Sequence, residues 1–116
     1  MLEIELPYPP SINHYWRRVG YRTILSRGGR AFRRAVYAVL AAQGVRPLAG
    51  RLAVEIDMYP PDCRRRDIDN ILKSLLDALQ HGGAYFDDSQ VVRLVIVKQK
   101  PVTGGKIVIR ILQERR

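Results

Sequence analysis

The run Arg64-Arg65-Arg66-Asp67-Ile68-Asp69-Asn70 opens the segment around which this chain is organised, and that segment continues to Gln90. A helical pattern containing Lys73 comes next, followed by Gly82-Gly83 and then by Asp87-Asp88-Ser89-Gln90. Three arginines therefore lead into two carboxylates, and a second acidic pair lies beyond the helical pattern. Carboxylates placed among cations indicate a divalent metal held against a phosphate backbone.

Helical geometry decides where the carboxylates of this segment can point. One apolar stripe, which predicts a helix facing the core, contains Ile68, Ile71, Leu72, Leu75, Leu76 and Leu79. Asp69, Lys73 and Asp77 follow one another at four-residue spacing along the polar edge. Inside the helix, Asp67 would lie about 200° from Asp69. The two carboxylates therefore converge only if Asp67 lies at or before the N-cap, a position that Asp favours.

The acids also have a purely structural interpretation. Asp67 as a cap and Asp69 in the first turn would both complement the helix dipole. Lys73 could pair with Asp69 or Asp77, and the pair at 87–88 could be a simple turn. This interpretation does not explain why both acidic pairs accompany three arginines and a lysine. The residues alone leave it open beside the metal interpretation.

The metal interpretation has a defined chemistry. Hard cations such as Mg²⁺ take oxygen ligands, and they can polarise a phosphoryl group and lower the pKa of an attacking water. Lys73 could stabilise charge that develops on the phosphate. The sequence has no glycine-rich phosphate loop, no nucleophile elbow and no paired histidines for zinc. Phosphodiester hydrolysis is therefore the chemistry that this segment favours.

Positive charge is concentrated in one half of the chain. The net charge is +9, yet no Asp or Glu occurs between Leu6 and Val54, where nine arginines lie. The remaining segments hold eleven acids and eleven bases, which cancel. Such asymmetry predicts a polyanionic partner, most often nucleic acid, although solubility alone is the simpler alternative. The residues expected to contact DNA are Arg17, Arg18, Arg22, Arg27, Arg30, Arg33, Arg34, Arg64, Arg65, Arg66, Asn13 and Trp16, with Tyr15 and Tyr21 as further candidates for stacking on bases. Packing in the core or in a dimer interface is an equal alternative for the three aromatic residues.

The remaining patterns predict a small α+β fold. Residues 2–6, 52–59 and 107–111 alternate as strands do, and 91–97 is almost continuously apolar, as a strand buried on both faces would be. A helix is predicted over 30–43, a weak strand pair around 15–18 and 21–25, and a hairpin turn at Thr103-Gly104-Gly105. The expected order is β-α-β-α-β-β. It gives one domain over 1–116, with two helices and a mixed four-stranded sheet.

The sequence also bounds the cellular context. No apolar run approaches the roughly 20 residues of a membrane helix, and the first residues alternate with acids, unlike a signal peptide. Cys63 is the only cysteine, so an intramolecular disulfide cannot form. We therefore expect a cytoplasmic protein without a membrane partner.

Two parts of the sequence resemble the RusA family of Holliday junction resolvases. The first is Arg65-Arg66-Asp67-Ile68-Asp69-Asn70-Ile71-Leu72-Lys73, followed by Leu76-Asp77-Ala78-Leu79 and by Asp87-Asp88-Ser89-Gln90-Val91. The second is Pro9-Pro10-Ser11-Ile12-Asn13 near the start. The resemblance covers nearly the whole chain, and the combined spacing is far more specific than Asp-x-Asp-Asn alone.

The resemblance implies an activity and roles for individual residues. Members of the family are small homodimeric endonucleases that depend on Mg²⁺, with Mn²⁺ as a possible substitute, and resolve four-way DNA junctions by paired symmetric nicks in recombination and repair. By position, Asp67, Asp69 and Asp88 match the essential metal-binding aspartates, Asp87 is a supporting acid and Lys73 matches the catalytic lysine. A bacterial or phage-encoded protein is implied. The alternatives are a less selective metal-dependent nuclease acting on branched or single-stranded DNA, and a basic DNA-binding protein without catalysis.

Overall fold

The computed structural model describes residues Met1–Glu114 and has a small α+β architecture. The six strands are β1 (Leu2–Leu6), β2 (Trp16–Val19), β3 (Arg22–Leu25), β4 (Leu52–Tyr59), β5 (Val91–Lys98) and β6 (Lys106–Gln113). The three helices are α1 (Ile12–Tyr15), α2 (Arg27–Ala42) and α3 (Leu72–Gly82). Two short 3₁₀ segments, Ile68–Ile71 and Asp88–Gln90, precede α3 and β5.

Four strands form a mixed sheet in the order β1-β6-β4-β5. β6 is antiparallel to both of its neighbours, and β4 is parallel to β5. Alternate residues of the two central strands are buried, such as Ile56 on β4 and Ile109 on β6, while Glu55 and Arg110 point to the opposite face. The mixed four-stranded sheet predicted from the sequence is therefore confirmed.

The two long helices complete one core with the sheet. Phe32, Val36 and Leu40 of α2 and Leu75 and Leu79 of α3 belong to the same buried cluster as the central strands. These positions recur every four residues within each helix, as a helix with one buried face allows. The helix predicted over 30–43 begins earlier, at Arg27, because the hydroxyl of Ser26 accepts a hydrogen bond from the Gly29 N–H and caps it.

The predicted hairpin between the last two strands is wrong. A turn does lie at residues 103–104, but β5 and β6 are not neighbours, because β4 lies between them. The prediction that residues 91–97 are buried on both faces is also wrong: β5 is an edge strand with most of its residues exposed. A run of valines predicts a strand, but whether that strand is central and buried or lies at an exposed edge depends on the strand order.

The segment between β1 and α2 is more ordered than the sequence suggests. The weak strand pair is confirmed, since β2 and β3 form a two-stranded antiparallel hairpin. The short helix α1 before it was not predicted. No helix within residues 1–114 is both long and apolar enough to cross a membrane.

Candidate active site and nucleic-acid interface

Asp67 lies immediately before the 3₁₀ segment and has an extended backbone, with φ −79° and ψ 139°. Its side chain makes no capping hydrogen bond to the backbone of that segment. The geometric condition derived from the sequence, that Asp67 must leave the helix before it can meet Asp69, is thus fulfilled. The carboxylate of Asp67 is free of the structural task that an N-cap aspartate usually performs.

Asp69 is part of the 3₁₀ segment and not of α3, which begins at Leu72. Asp69 therefore does not share an α-helix with Lys73, contrary to the prediction from their four-residue spacing. The ion-pair partner of Lys73 within the described chain is instead Asp88, whose Oδ2 lies 4.0 Å from the lysine Nζ. This contact brings the second acidic pair to the start of α3, where the first pair is located.

The two acids at 87–88 have different environments. The Asp87 carboxylate accepts a hydrogen bond from the Ser89 N–H at 2.9 Å, and Gln90 completes a capping box. The hydrogen bonds from Ser89 hold the pKa of Asp87 below its usual value. Asp88 instead uses its backbone N–H, which donates to Gln80 Oε1 at 2.9 Å, and its carboxylate faces Lys73. Asp87 has the structural role that the sequence left open, whereas Asp88 does not.

Two of the three arginines before Asp67 are oriented by a residue that sequence reasoning did not single out. Asp62 accepts a hydrogen bond from Arg66 Nη1 at 2.6 Å and forms an ion pair with Arg64 at 3.3 Å. Hydrogen bonds from Arg66 and from the Arg64 backbone lower the pKa of Asp62. Lys98, at the end of β5, donates to the Arg66 carbonyl oxygen at 2.5 Å. The Asp-x-Arg-Arg-Arg spacing could have indicated from the sequence that Asp62 pairs with these arginines. No sequence pattern indicated the role of Lys98, because it contacts a residue far away in the chain.

A cavity of about 360 Å³ opens beside these arginines and Asp67. Its other wall comes from the N-terminal segment, with Tyr8, Ser11 and His14. The hydroxyl of Tyr8 is buried without a hydrogen-bond partner in the described chain, and burial raises its pKa. The Pro-Pro-Ser-Ile-Asn stretch near the start is thus placed against the Arg64–Asp67 loop by the fold.

The carboxylates are not assembled into a metal cage. Across residues 1–114, no three or more His, Cys, Asp or Glu side chains lie close enough together to hold an ion. The donor chemistry nevertheless fits Mg²⁺, because all the candidates are carboxylates and this ion usually takes one or two of them together with water and phosphate oxygens. The residues present therefore suit a metal that is bound jointly with the nucleic acid.

The basic hairpin formed by β2 and β3 presents its arginines to solvent. Arg17 and Arg18 on one strand and Arg22 on the other are exposed. Further exposed members of the predicted DNA surface are Arg27, Arg30, Arg34, Arg64, Arg65 and Asn13. Part of the Arg30 guanidinium is already hydrogen-bonded within the protein, since its Nη1 donates to the Leu25 carbonyl oxygen at 2.8 Å.

Arg33 and the aromatic residues of this half divide between surface and core. Arg33 turns inward and pairs with Asp77 of α3 at 2.7 Å. Tyr15 is fully buried and also donates to Asp77, so stacking on bases is wrong for this ring. Trp16 packs edge-on against Tyr15 with 5.2 Å between ring centroids, whereas Tyr21 is fully exposed at the hairpin tip. Of the three rings predicted to stack on bases, Tyr21 is the one that is fully exposed.

Comparisons with known proteins identify the class to which this arrangement belongs. Residues 7–112 match the profile of the family described as Endodeoxyribonuclease RusA. The chain is 39% identical over 109 residues to the crossover junction endodeoxyribonuclease RusA of Enterobacteria phage HK97, covering 93% of this chain and 91% of that protein. The protein of the same name from Escherichia coli K12 is 39% identical over 111 residues, covering 95% and 92%. The class is that of DNA-cutting endonucleases. Within it, this chain belongs to the RusA family.

Proposed function

We propose that this protein is a Mg²⁺-dependent endonuclease that resolves four-way DNA junctions by paired symmetric nicks, hydrolysing phosphodiester bonds in recombination and repair. It acts as a homodimer of a single domain spanning 1–116, in a bacterial or phage-infected cytoplasm. The observation that carries the proposal is the uncapped, extended Asp67 beside a cluster of arginines, in a chain that belongs to the RusA family.

The proposed roles follow from position and charge. Asp67, Asp69 and Asp88 would hold the metal, which supplies Lewis acidity toward the scissile phosphate. Lys73 holds a positive charge 4.0 Å from Asp88 and can stabilise charge that develops on the phosphate or the leaving oxygen. Asp62 orients Arg66 and Arg64, and these cations bind the backbone on either side of the cut. Asp87 contributes to the site by capping the 3₁₀ segment Asp88–Gln90 that carries Asp88.

The test compares acid-to-amide variants on a synthetic four-way junction in Mg²⁺. Asp67→Asn and Asp69→Asn are expected to abolish cleavage and to retain junction binding, because removing a carboxylate does not weaken attraction to phosphate. Glu3→Gln, an exposed acid on β1, is the matched control and should cut normally. Wild-type cutting rates in both aspartate variants would overturn the assignment.

A second comparison separates the neighbouring acids. Asp88→Asn should lose cleavage with little change in the melting temperature, because its carboxylate makes only the long contact with Lys73. Asp87→Ala should instead lower the melting temperature, since the Ser89 N–H loses its side-chain acceptor and the 3₁₀ segment loses its N-cap. Cleavage measured below that lower melting temperature should persist. The reverse pattern would exchange their roles.

A further inference from the structure

The cavity beside the loop of residues 64–67, which we call the loop cavity, has no part in the catalytic roles proposed above. Its volume of about 360 Å³ lies at the lower end of the range for small-molecule sites. Pro61 and Ile71 give its wall apolar patches, and His14 and Asn70 give it polar ones. A cavity of this size and mixed character suits one flat, polar molecule, and a DNA duplex is far too wide to enter it.

The wall of the loop cavity is held in place by the rest of the fold. The turn before β6 packs behind it, since a methyl group added at Gly105 would lie 2.9 Å from the Tyr8 Cβ and 3.0 Å from the Pro61 nitrogen. Elsewhere in the wall, the Ser11 hydroxyl and the His14 Nδ1 are hydrogen-bonded at 2.8 Å, which orients the imidazole ring. A site that is already formed binds its ligand without the cost of ordering the protein.

The hydroxyl of Tyr8, in the same wall, lacks a hydrogen-bond partner. It is buried, and no group within residues 1–114 pairs with it. Buried polar atoms are nearly always paired, because an unpaired one is unfavourable. Asn70 adds an amide with two donors and one acceptor, and its backbone N–H donates to the Asp67 carbonyl oxygen at 3.2 Å. The loop cavity therefore offers hydrogen-bonding groups one turn from a carboxylate proposed to hold the metal.

We propose that the loop cavity receives a single unstacked nucleobase, that of a nucleotide next to the scissile phosphate. This inference rests on the proposed function and names the pocket by which that site recognises its substrate. The base stacks on the imidazole of His14, and its polar edge forms hydrogen bonds with Asn70 and Tyr8. The exposed Arg64 and Arg65, which also line the cavity, bind the adjoining phosphates.

Charge and position favour a nucleobase over other flat molecules. Three consecutive arginines line the same cavity, which suits a ligand carried on a phosphate backbone. Asp67 belongs to the cavity wall and is also a proposed metal ligand, so an occupant lies within about one nucleotide of the phosphate that the metal would bind. Extruding a base costs least where pairing is already disturbed, as at the branch point of a four-way junction.

Photo-cross-linking tests the position of the base directly and requires no cleavage. Four-way junctions carrying 5-iodouracil on one or the other side of the scissile phosphate, or well inside one arm, are bound to Asp67→Asn and irradiated. One of the two flanking positions should cross-link to a peptide from residues 8–14 or 61–71, and the position inside the arm should not. Cross-links that map only to the β2–β3 hairpin, or to neither of those peptides, would overturn the inference.

An abasic site at the cross-linking position gives a kinetic test. It removes the base and keeps the phosphate, so wild-type cleavage should slow roughly 10-fold, as expected for one lost stacking contact. His14→Ala should slow cleavage of the intact junction by the same factor and should cut the abasic junction at the wild-type rate. His81→Ala, which changes the other exposed histidine, is the matched control and should behave as wild type on both junctions. Losses that multiply in His14→Ala would contradict stacking on this ring.

The same experiments distinguish failure of the pocket from failure of the proposed function. If Asp67→Asn abolishes cutting and no cross-link reaches the cavity wall, only the base pocket is wrong. If Asp67→Asn still cuts, the proposed catalytic site fails, whereas the cross-link is measured on bound DNA and still tests the pocket. The cross-link is made without any substitution in the cavity wall outside Asp67, so it decides the matter even if His14→Ala does not fold.

Discussion

The hydrogen-bonded cluster of Tyr15, Arg33 and Asp77 supports the most quantitative prediction, which concerns Asp77→Ala. Arg33 donates to Asp77 Oδ2 through Nε at 3.0 Å and through Nη2 at 2.7 Å, and the Tyr15 hydroxyl donates to the same oxygen. The three residues belong to α1, α2 and α3. Loss of this one carboxylate therefore releases a contact on which three helices converge.

The expected cost follows from burial. Removing one partner of a fully buried ion pair costs 3–5 kcal/mol, because the other charge remains desolvated. Here the Arg33 and Asp77 side chains are 22% and 19% exposed, so water partly compensates. We expect a loss of about 2–3 kcal/mol in the free energy of unfolding. For a domain of this size that corresponds to a decrease of about 8–12 °C in melting temperature.

Chemical and thermal unfolding, followed by circular dichroism, would measure the loss. Asp77→Asn keeps an acceptor for both donors and should lose less than the alanine variant. Arg51→Ala removes an exposed partner of Glu114, 3.6 Å away, and is the control for an ordinary surface pair. It should change the free energy of unfolding by less than about 0.5 kcal/mol.

A double variant isolates the interaction itself. Arg33→Met combined with Asp77→Leu removes both charges, and it should be less destabilised than the sum of the single variants, because neither charge is left buried alone. Additive losses would show that the two side chains do not interact energetically. A melting temperature within about 2 °C of wild type for Asp77→Ala would refute the stabilising role of the contacts between Asp77, Arg33 and Tyr15.

Three further predictions concern the same half of the chain. Gly29→Ala should cost about 1–3 kcal/mol, since the added methyl would press on the Tyr15 carbonyl oxygen, whereas Gly28→Ala, with only Ser26 Oγ at 3.9 Å, should be neutral or stabilising in thermal melts. Burial, followed by the hydrogen bond to Asp77, raises the pKa of Tyr15 to about 12. The stability contributed by its neutral hydroxyl is complete below pH 10 and is lost as the pH rises toward 12. Denaturation from pH 9 to 12 should therefore show a flatter decline for Tyr15→Phe, and equal slopes would contradict the assignment. Arg17→Ala with Arg22→Ala should reduce the salt dependence of junction binding by about one unit of slope per lost phosphate contact, and an unchanged slope would mean that the hairpin does not touch DNA.

The sequence determined the local features of this protein. Alternation along 52–59 and 107–111 reported strands with one buried face, since side chains of a strand point to opposite sides. Helical geometry alone set the condition that Asp67 must lie outside the helix if its carboxylate is to meet that of Asp69, and its extended backbone fulfils that condition. The absence of acids between Leu6 and Val54 locates the basic half from the sequence alone.

The tertiary structure decided which partner each of these features meets. Periodicity reports that a face is buried but does not say against what, so the crossover that puts β4 between β5 and β6, and leaves the valines of β5 on an open edge, was not visible. Arg33 lies in the same acid-free basic half as its exposed neighbours, yet it turns inward to bond with Asp77, which is 44 residues away. The pairing of Lys73 with Asp88 likewise depends on how α3 meets the start of β5. Local sequence fixes backbone geometry through short-range sterics, whereas charge pairing and edge exposure depend on contacts that only the folded chain brings together.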